Sequence, residues 1–172
     1  MEKFTHSELI ERQKQKSKQH LPFCVVLNNI RSLYNVGSIF RTSDGVGVDK
    51  LWICGVTGHP PRNQIAKTAL GAQDVIPWEY RKDILSLIHE LRAENYQIVL
   101  LEQTKESVPY EKFQPRFPVC LVLGNEIEGV HQDLLSYCDQ SVEIEMEGVK
   151  NSLKVSVAFG IVAFHFRNCY KN

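Results

Sequence analysis

The chain has 172 residues and a hydrophobic content of 43%, which is enough for one domain with a substantial core. Twenty basic residues balance twenty acidic ones, so the net charge by itself indicates no nucleic acid or other charged partner. Five cysteines without a C-x-x-C pair and six histidines without H-E-x-x-H spacing argue against a disulfide framework and a zinc site, and we predict no metal.

The sequence contains no segment typical of a membrane or secretory protein. Its longest nearly uninterrupted apolar run, Val155 to Phe166, is shorter than the roughly 20 residues that a bilayer span needs. The first residues lack the apolar stretch and the small-residue cleavage site of a secretory signal. We therefore predict a protein of the cytoplasm that does not enter a membrane.

Residues 5–18 are polar and rich in helix formers, which predicts an N-terminal helix loosely attached to the rest of the chain. This segment carries four basic residues without an acid between them: Arg12, Lys14, Lys16 and Lys18. The run could neutralise several phosphates and make binding salt-dependent, or it could be a solvated helix face. Pro22 opens the domain proper, so we divide the chain into a helical extension over 1–20 and one domain over 21–172.

Apolar runs of strand length alternate with helix-like segments along the remainder. The strand-like runs lie at 23–27, 51–54, 97–101, 119–123 and 141–144, with a weaker one near 74–76. The helix-like segments lie at about 36–45, 62–70, 81–94, 130–137 and 152–168. This alternation predicts an α/β domain with a largely parallel sheet flanked by helices.

The last of these segments carries two conflicting patterns. Alternating apolar residues from Leu153 to Val157 are typical of a strand. The segment is too long for a strand, however, and small residues repeat at helical spacing at Ser156, Gly160 and Ala163. We interpret it as a helix whose small residues let another backbone approach closely.

The first of three polar stretches that follow predicted strands runs from Asn28 to Gly45, and ligands of open α/β sheets bind at such strand ends. Asn35 is placed as a helix N-cap, and Gly37 allows a close backbone approach. Arg41 lies among apolar residues, where a phosphate or substrate contact is at least as favoured as a surface salt bridge. Because no G-x-G-x-x-G follows the first strand, a conventional dinucleotide-binding enzyme is disfavoured.

The other two stretches also combine glycines with polar residues at strand ends. Gly124, Asn125 and Glu126 follow a buried strand, and Gly129 completes a tight loop that holds an acid where the sheet stops. The third stretch, 144–158, contains a glycine loop and then Asn151 or Ser152 as the cap of the last helix.

In this order and spacing, the three stretches resemble the three motifs of the SpoU family of RNA methyltransferases. The first matches N-x-R-x-x-x-N-x-G-x-x-x-R, the second G-x-E-x-x-G, and the third I-x-M-x-G-x-x-x-S-L-x-V-S-V-A. The resemblance covers roughly residues 22–168 and leaves out only the N-terminal helix.

This resemblance implies the SPOUT fold, in which the C-terminal part of the α/β domain forms a deep trefoil knot. It implies a homodimer in which the partner subunit helps to complete the catalytic pocket. It also implies that the loops of the knot bind S-adenosylmethionine, largely through backbone atoms, at Gly124, Ile144, Met146 and Leu153. The stretch 101–104 is a weaker candidate for the same contact.

The activity implied by the resemblance is S-adenosylmethionine-dependent methylation of a ribose 2'-hydroxyl in tRNA or rRNA. Asn35, Arg41, Glu126 and Ser152 match the catalytic and substrate-positioning residues of the family. In the family Arg41 is proposed to activate the hydroxyl, but a guanidinium rarely gives up its proton at neutral pH. We interpret Arg41 as a clamp on phosphate and a stabiliser of the developing alkoxide, oriented by Asn35 and Glu126.

One position departs from the family pattern. Where the family usually has Ser-Leu-Asn, this chain has Ser152-Leu153-Lys154, so a donor-only cation replaces an amide. Lys154 could contact RNA phosphate, as could Arg31 of the first motif, or methyl transfer could be weakened. The alternative hypothesis is therefore a knotted RNA-binding or assembly protein with weak or no methyl transfer.

Overall fold

A computed structural model describes residues 1, 3–14, 21–125, 129–130 and 132–171, and for residues 13, 14 and 132 it describes the backbone alone. The strands are β1 (Leu21–Asn28), β2 (Val48–Cys54), β3 (Trp78–Arg81), β4 (Gln97–Leu101), β5 (Val108–Pro109), β6 (Val119–Leu123) and β7 (Gln140–Glu143). The helices are α1 (His6–Lys14), α2 (Leu33–Val46), α3 (Asn63–Ala69), α4 (Ile84–Ala93), α5 (Gln132–Leu135) and α6 (Val155–Lys171). Short 3₁₀ helices lie at Ala72–Asp74 and Tyr110–Lys112.

The strands form one sheet in the order β3-β2-β1-β6-β4-β7-β5. All six pairings between these strands are parallel. Every residue of β6 is buried, as are six consecutive residues of β1, because helices cover both faces of a parallel sheet. The predicted parallel sheet flanked by helices is confirmed.

Each face of the sheet carries its own hydrophobic core. On one face α2 and α6 bury their apolar stripes, including Phe40, Phe159 and Phe166, all of which are fully buried. On the other face α4 packs Leu87 and Ile88 against the alternate residues of the central strands. Within the part of the chain that the structure describes, no helix has the length and apolar character needed to cross a membrane.

Helices α2 and α3 touch at Gly37, where a β-carbon would collide with the Thr68 hydroxyl and the Ile65 carbonyl. The Thr68 hydroxyl in turn donates to the Tyr34 carbonyl at 2.9 Å. Only glycine leaves room for this approach, so the predicted close backbone contact at Gly37 is confirmed.

Two predictions in the middle of the chain are wrong. Residues 74–76, predicted as a weak strand, are the last residue of the 3₁₀ helix Ala72–Asp74 and the two residues after it. The strand of this region is Trp78–Arg81. This strand pairs with β2, and its side chains alternate between the two faces of the sheet edge. The following helix begins at Ile84, because the Asp83 carboxylate caps it by accepting from the Leu85 N–H at 3.0 Å. The two-residue strand β5 had no recognisable pattern in the sequence.

The predicted starts of α2 and α6, the helices that contain parts of the first and third motifs, are also wrong. Ser32, and not Asn35, caps α2, since its hydroxyl accepts from the Asn35 N–H. The last helix begins at Val155, after Asn151 and Ser152, and its first carbonyl acceptor is that of Lys154. The choice of helix for this segment is confirmed. The N-terminal helix is observed over His6–Lys14, and residues 15–18 of that prediction lie outside the described residues.

We expect Gly37→Ala to lower the free energy of unfolding by about 1–3 kcal/mol, because the added methyl forces α2 away from α3. Gly45→Ala, in the same helix, adds a methyl that meets only the Phe164 ring at 3.9 Å. This control is expected to be neutral or stabilising by up to about 1 kcal/mol, since alanine favours helix. Urea denaturation of both variants makes the comparison, and equal effects would refute the close contact.

Candidate active site

A cavity of about 140 Å³ lies at the carboxyl ends of β4, β6 and β7, against the first turn of α6. All four predicted cofactor contacts line it, together with one predicted catalytic residue: Gly124, Ile144, Met146, Leu153 and Ser152. The weaker candidate stretch contributes Leu101, Glu102 and Gln103. The fold therefore brings the second and third motifs together from positions up to 34 residues apart in the sequence, Gly124 and Ala158.

The described ends of the second motif are paired with each other. Asn125 and Gly129 exchange two backbone hydrogen bonds of 3.0 Å. A β-carbon on Gly124 would collide with the Gly129 backbone, and one on Gly129 would collide with the Glu102 carboxylate. Gly129 also has a φ of +66°, which favours glycine. The glycines are thus explained by the packing of the loop, and the predicted catalytic Glu126 lies outside the described residues.

A polar network ties the ends of β1, β2 and β6 together. The Asn125 amide is 7% exposed and donates to the Asn29 carbonyl at 2.9 Å. The Asn29 side chain accepts from the Val56 N–H at 3.0 Å. Thr57, which is 2% exposed, donates to the Leu27 carbonyl and accepts from the Ile30 N–H. The first motif is therefore held directly against the second.

The sequence analysis did not single out these polar residues for a role. The available signal was their position, since Asn29, Thr57 and Asn125 each lie within three residues of the end of an apolar strand. Backbone groups at the end of a buried strand need partners, and short polar side chains such as Asn and Thr supply them.

Asn35 and Arg41 lie on α2 and do not line the cavity. The Asn35 side-chain oxygen accepts from the Ser156 hydroxyl at 3.2 Å, which links α2 to the first turn of α6. Arg41 is exposed, and no described residue forms an ion pair with it. It shares one stripe of α2 with Tyr34 and Ser38, and Tyr34 is 51% exposed. The structure therefore places Arg41, which the sequence analysis assigned to the catalytic residues, outside the cavity of its own chain.

The start of the third motif lies at the rim of the cavity. Ser152, Leu153 and Lys154 are all exposed, although the first two also line the cavity. The Gln103 amide donates to the Asn151 carbonyl at 2.9 Å and so holds this segment against the end of β4. Lys154 projects from the position just before α6.

The other predicted RNA contacts are placed in part. Arg31 is exposed in the turn between β1 and α2, at the same edge of the sheet as the cavity. Arg12 is exposed on α1, with its guanidinium carbon 4.9 Å from the Phe4 ring centroid. The side chain of Lys14, and Lys16 and Lys18 altogether, lie outside the described residues.

The cysteines are not candidates for nucleophiles. Cys24, Cys54 and Cys120 are buried free thiols. Burial raises the pKa of Cys54 to about 12 and that of Cys120 well above its usual value, so both thiols stay protonated at neutral pH. Across the described residues, no group of three or more His, Cys, Asp or Glu side chains could hold a metal ion.

Comparison with known proteins identifies the family. The model of the SpoU rRNA Methylase family matches residues 22–164, which is most of the chain. The chain belongs to the SpoU family. The match contains all three motifs and begins just after the predicted extension. The residues that line the cavity include Gly124, Ile144, Met146, Ser152 and Leu153 of the second and third motifs.

Individual relatives agree with this assignment. A TrmH family protein of Staphylococcus haemolyticus is 30% identical over 152 residues, which cover 88% of this chain and 61% of that protein. The tRNA (guanosine(18)-2'-O)-methyltransferase of Aquifex aeolicus is 30% identical over 86% of this chain and 69% of its own length. The AdoMet-bound rRNA methyltransferase of Sinorhizobium meliloti superposes with a TM-score of 0.81 at 27% identity, covering 90% of this chain and 59% of that one. The chain thus spans about three fifths of the length of the first and third of these SpoU relatives.

We expect Asn125→Ala to lower the free energy of unfolding by about 1–3 kcal/mol, because it leaves the Asn29 carbonyl without its donor. Asn168→Ala is the matched control, since it removes the same side chain from an exposed position on α6. Thermal denaturation of the two variants measures the difference. A loss of stability that is no larger for Asn125 than for Asn168 would show that the network does not hold the two motifs together.

Proposed function

We propose that this protein is an S-adenosylmethionine-dependent RNA methyltransferase that methylates a ribose 2'-hydroxyl in tRNA or rRNA. The observation that carries the proposal is the cavity at the ends of β4, β6 and β7, where residues of the second and third SpoU motifs converge. The relatives support it, because one is named as a tRNA 2'-O-methyltransferase and another binds AdoMet.

The cavity has the chemistry that this cofactor requires. Leu101, Ile144 and Leu153 provide apolar walls for a flat base. Glu102 and Glu143 provide carboxylates that complement the positive charge of a sulfonium. When bound, S-adenosylmethionine supplies an electrophilic methyl group, and the loops of the cavity would hold it largely through backbone atoms.

The chain's own residues are proposed to bind and orient the RNA. A guanidinium rarely gives up its proton at neutral pH, so we assign Arg41 a clamp on phosphate and the stabilisation of negative charge on the ribose oxygen. Asn35 and Glu126 orient this guanidinium, and Ser152 at the rim positions the substrate. Lys154, Arg31 and the basic run Arg12, Lys14, Lys16 and Lys18 are proposed to contact phosphates.

We also propose that the protein acts as a homodimer. Arg41 is exposed and does not line the cavity of its own chain, so a second copy is needed to bring the two together. The outer face of α6 supports this interface, since Val157 and Phe164 are 47% and 43% exposed on one helical stripe. A symmetric pair would bury both stripes and complete two sites.

We propose further that the C-terminal part of the chain forms a trefoil knot. We also propose that the chain divides into an extension over 1–20 and a methyltransferase domain over 21–172. The strand order supports the knot, because β6 lies between β1 and β4 while the later β7 lies beyond β4. The exposure of the described side chains of α1 and the start of the family match at residue 22 support the division.

We expect Arg41→Ala to lower kcat by about 10²–10³-fold, the effect of removing one donor to a developing oxyanion. Purified protein is incubated with methyl-labelled S-adenosylmethionine and unmodified bulk tRNA and rRNA, and the labelled nucleotide is identified by mass spectrometry. Arg116→Ala is the control, because Arg116 lies near the amino ends of β4 and β6, away from the cavity. Label on a base, or an unaffected Arg41→Ala variant, would overturn the proposed chemistry.

The binding-protein alternative rests on Lys154 and makes a different prediction. If the protein binds the cofactor but labels no RNA, Lys154→Asn is expected to restore methyl transfer, because it returns the amide that the family usually has. Binding of S-adenosylmethionine is measured separately by calorimetry, so that loss of the cofactor site is distinguished from loss of transfer.

Phe164→Lys is expected to convert the dimer into a 19.7 kDa monomer, because it places a charge in the apolar interface. Light scattering coupled to size exclusion measures the mass, and Val75→Lys is the control at another exposed apolar residue. If sites are shared, mixing the Arg41→Ala and Ser152→Ala variants restores part of the methyl transfer. A wild-type protein that is monomeric at all concentrations would contradict the shared site.

A further inference from the structure

A cluster of aromatic rings lies at the β3 edge of the sheet, outside the cavity. It consists of His59, Trp78 and Tyr80, which we call the edge cluster. The His59 ring lies 5.5 Å from the Trp78 ring at an interplanar angle of 25°, so the two are stacked. The His59 and Tyr80 rings are also 5.5 Å apart, and Tyr80 is 41% exposed. We propose that the edge cluster is a stacking site for an unpaired base of the RNA substrate.

The geometry of the cluster is fixed by hydrogen bonds to the backbone. The Tyr80 hydroxyl donates to the Gly55 carbonyl at 3.0 Å. His59 Nδ1 lies 2.8 Å from the Pro60 carbonyl, which can only accept, so Nδ1 carries the proton. In the neutral ring Nε2 is then an acceptor for a base N–H or a ribose hydroxyl. A rigid ring stack costs little conformational entropy when a base binds.

The opposite face of the same sheet edge is already occupied. The Lys50 ammonium lies 3.7 Å from the centre of the Trp52 ring, and the Arg81 guanidinium lies 5.3 Å from it. Glu79 pairs with both cations on that side. Because successive side chains of β3 point to opposite faces of the sheet, the Glu79 carboxylate lies on the face away from the edge cluster. The exposed ring of Tyr80 lies on the other face.

The edge cluster is connected to the first motif. The loop that carries His59 is tied to Asn29 through the Val56 N–H, and Gly58 touches the Leu33 side chain so closely that a β-carbon would collide with it. A base that stacks on His59 and Tyr80 would therefore belong to the same RNA molecule whose phosphates Arg31 and Arg41 are proposed to contact.

Exposed basic residues follow the members of the edge cluster closely in the sequence. Arg62 follows His59 by three residues, and Lys82 follows Tyr80 by two. Both are exposed, as is Arg31 at the start of the first motif. Asp83, the residue after Lys82, is an acid, and its carboxylate is engaged as the cap of α4. Aromatic rings beside cations are the combination that binds single-stranded nucleic acid without base-specific contacts, and this favours RNA over a second copy of the chain as the occupant.

This inference rests on the proposed function for the identity of the ligand as RNA. Its test uses a short single-stranded RNA of mixed sequence and an abasic oligonucleotide of the same length. Fluorescence anisotropy measures the affinity of the full chain for each of them. Tyr80→Leu removes the ring, whereas Tyr80→Phe keeps the ring and removes only the hydroxyl. His59→Ala removes the second ring, and Lys50→Ala removes a cation from the opposite face.

We expect His59→Ala and Tyr80→Leu each to weaken binding of the base-bearing RNA about fivefold or more, the loss of one stacked base. Both variants should bind the abasic oligonucleotide about as tightly as the unaltered protein does. Tyr80→Phe, which keeps the ring, should weaken binding of the base-bearing RNA less than Tyr80→Leu, and Lys50→Ala should leave it unchanged. Photo-crosslinking with 5-iodouracil in the RNA should attach it to a peptide that contains His59 or Tyr80.

Three outcomes would overturn the inference. These are equal binding of base-bearing and abasic oligonucleotides, equal effects of Tyr80→Leu and Tyr80→Phe, and a change in oligomeric mass in either ring-removing variant, which would make the edge cluster a contact between copies. If His59→Ala does not fold, the two Tyr80 variants decide alone. Stacking without methyl transfer would leave this inference standing while the proposed catalysis fails, and methyl transfer without stacking would do the reverse.

Discussion

The parallel pairing of the whole sheet is the constraint on which the rest of this structure depends. Parallel neighbours cannot be joined by tight turns, so each connection crosses over the sheet and every strand ends at the same edge. Three motifs that are far apart in the sequence therefore meet at one edge. The cavity forms there because β4, β6 and β7 are neighbours, and their loops turn toward α6.

This convergence brings many backbone groups to one edge, and short polar side chains satisfy them. Asn125 and Thr57 are buried there and bond to the ends of β1, while Asn29 holds the loop after β2. A network of this kind allows little independent movement of the first and second motifs, because each broken hydrogen bond would leave a buried polar group without a partner. The proposed site is in this way pre-organised on its protein side.

The glycines of the motifs have a packing reason as well as a proposed functional one. Gly37 lets α2 approach α3, and Gly124 lets the second-motif loop fold against its own strand. The close approach at Gly124 lies at the cavity wall, where a cofactor held through backbone atoms would need backbone groups. Arg41 is exposed and lies outside the cavity of its own chain. The proposed dimer would bring it to the cavity of a second copy.

The sequence by itself determined the α/β class, the parallel sheet, the helical nature of α6 and the membership of Gly124, Ile144, Met146, Ser152 and Leu153 in one site. The fold class, the sheet and the helix were predictable because hydrophobic periodicity is a local property of the chain, whereas the grouping of the five residues was implied by the resemblance of the motifs to the SpoU family. Only the tertiary structure decided the strand order, the position of β3 and the helix starts at Leu33 and Val155. It also decided that Asn35 bonds to Ser156, that Arg41 stays outside the cavity, and that His59 stacks on Trp78. The reason is physical: strand neighbours and long-range side-chain contacts depend on which surfaces pack together, and no short stretch of sequence contains that information.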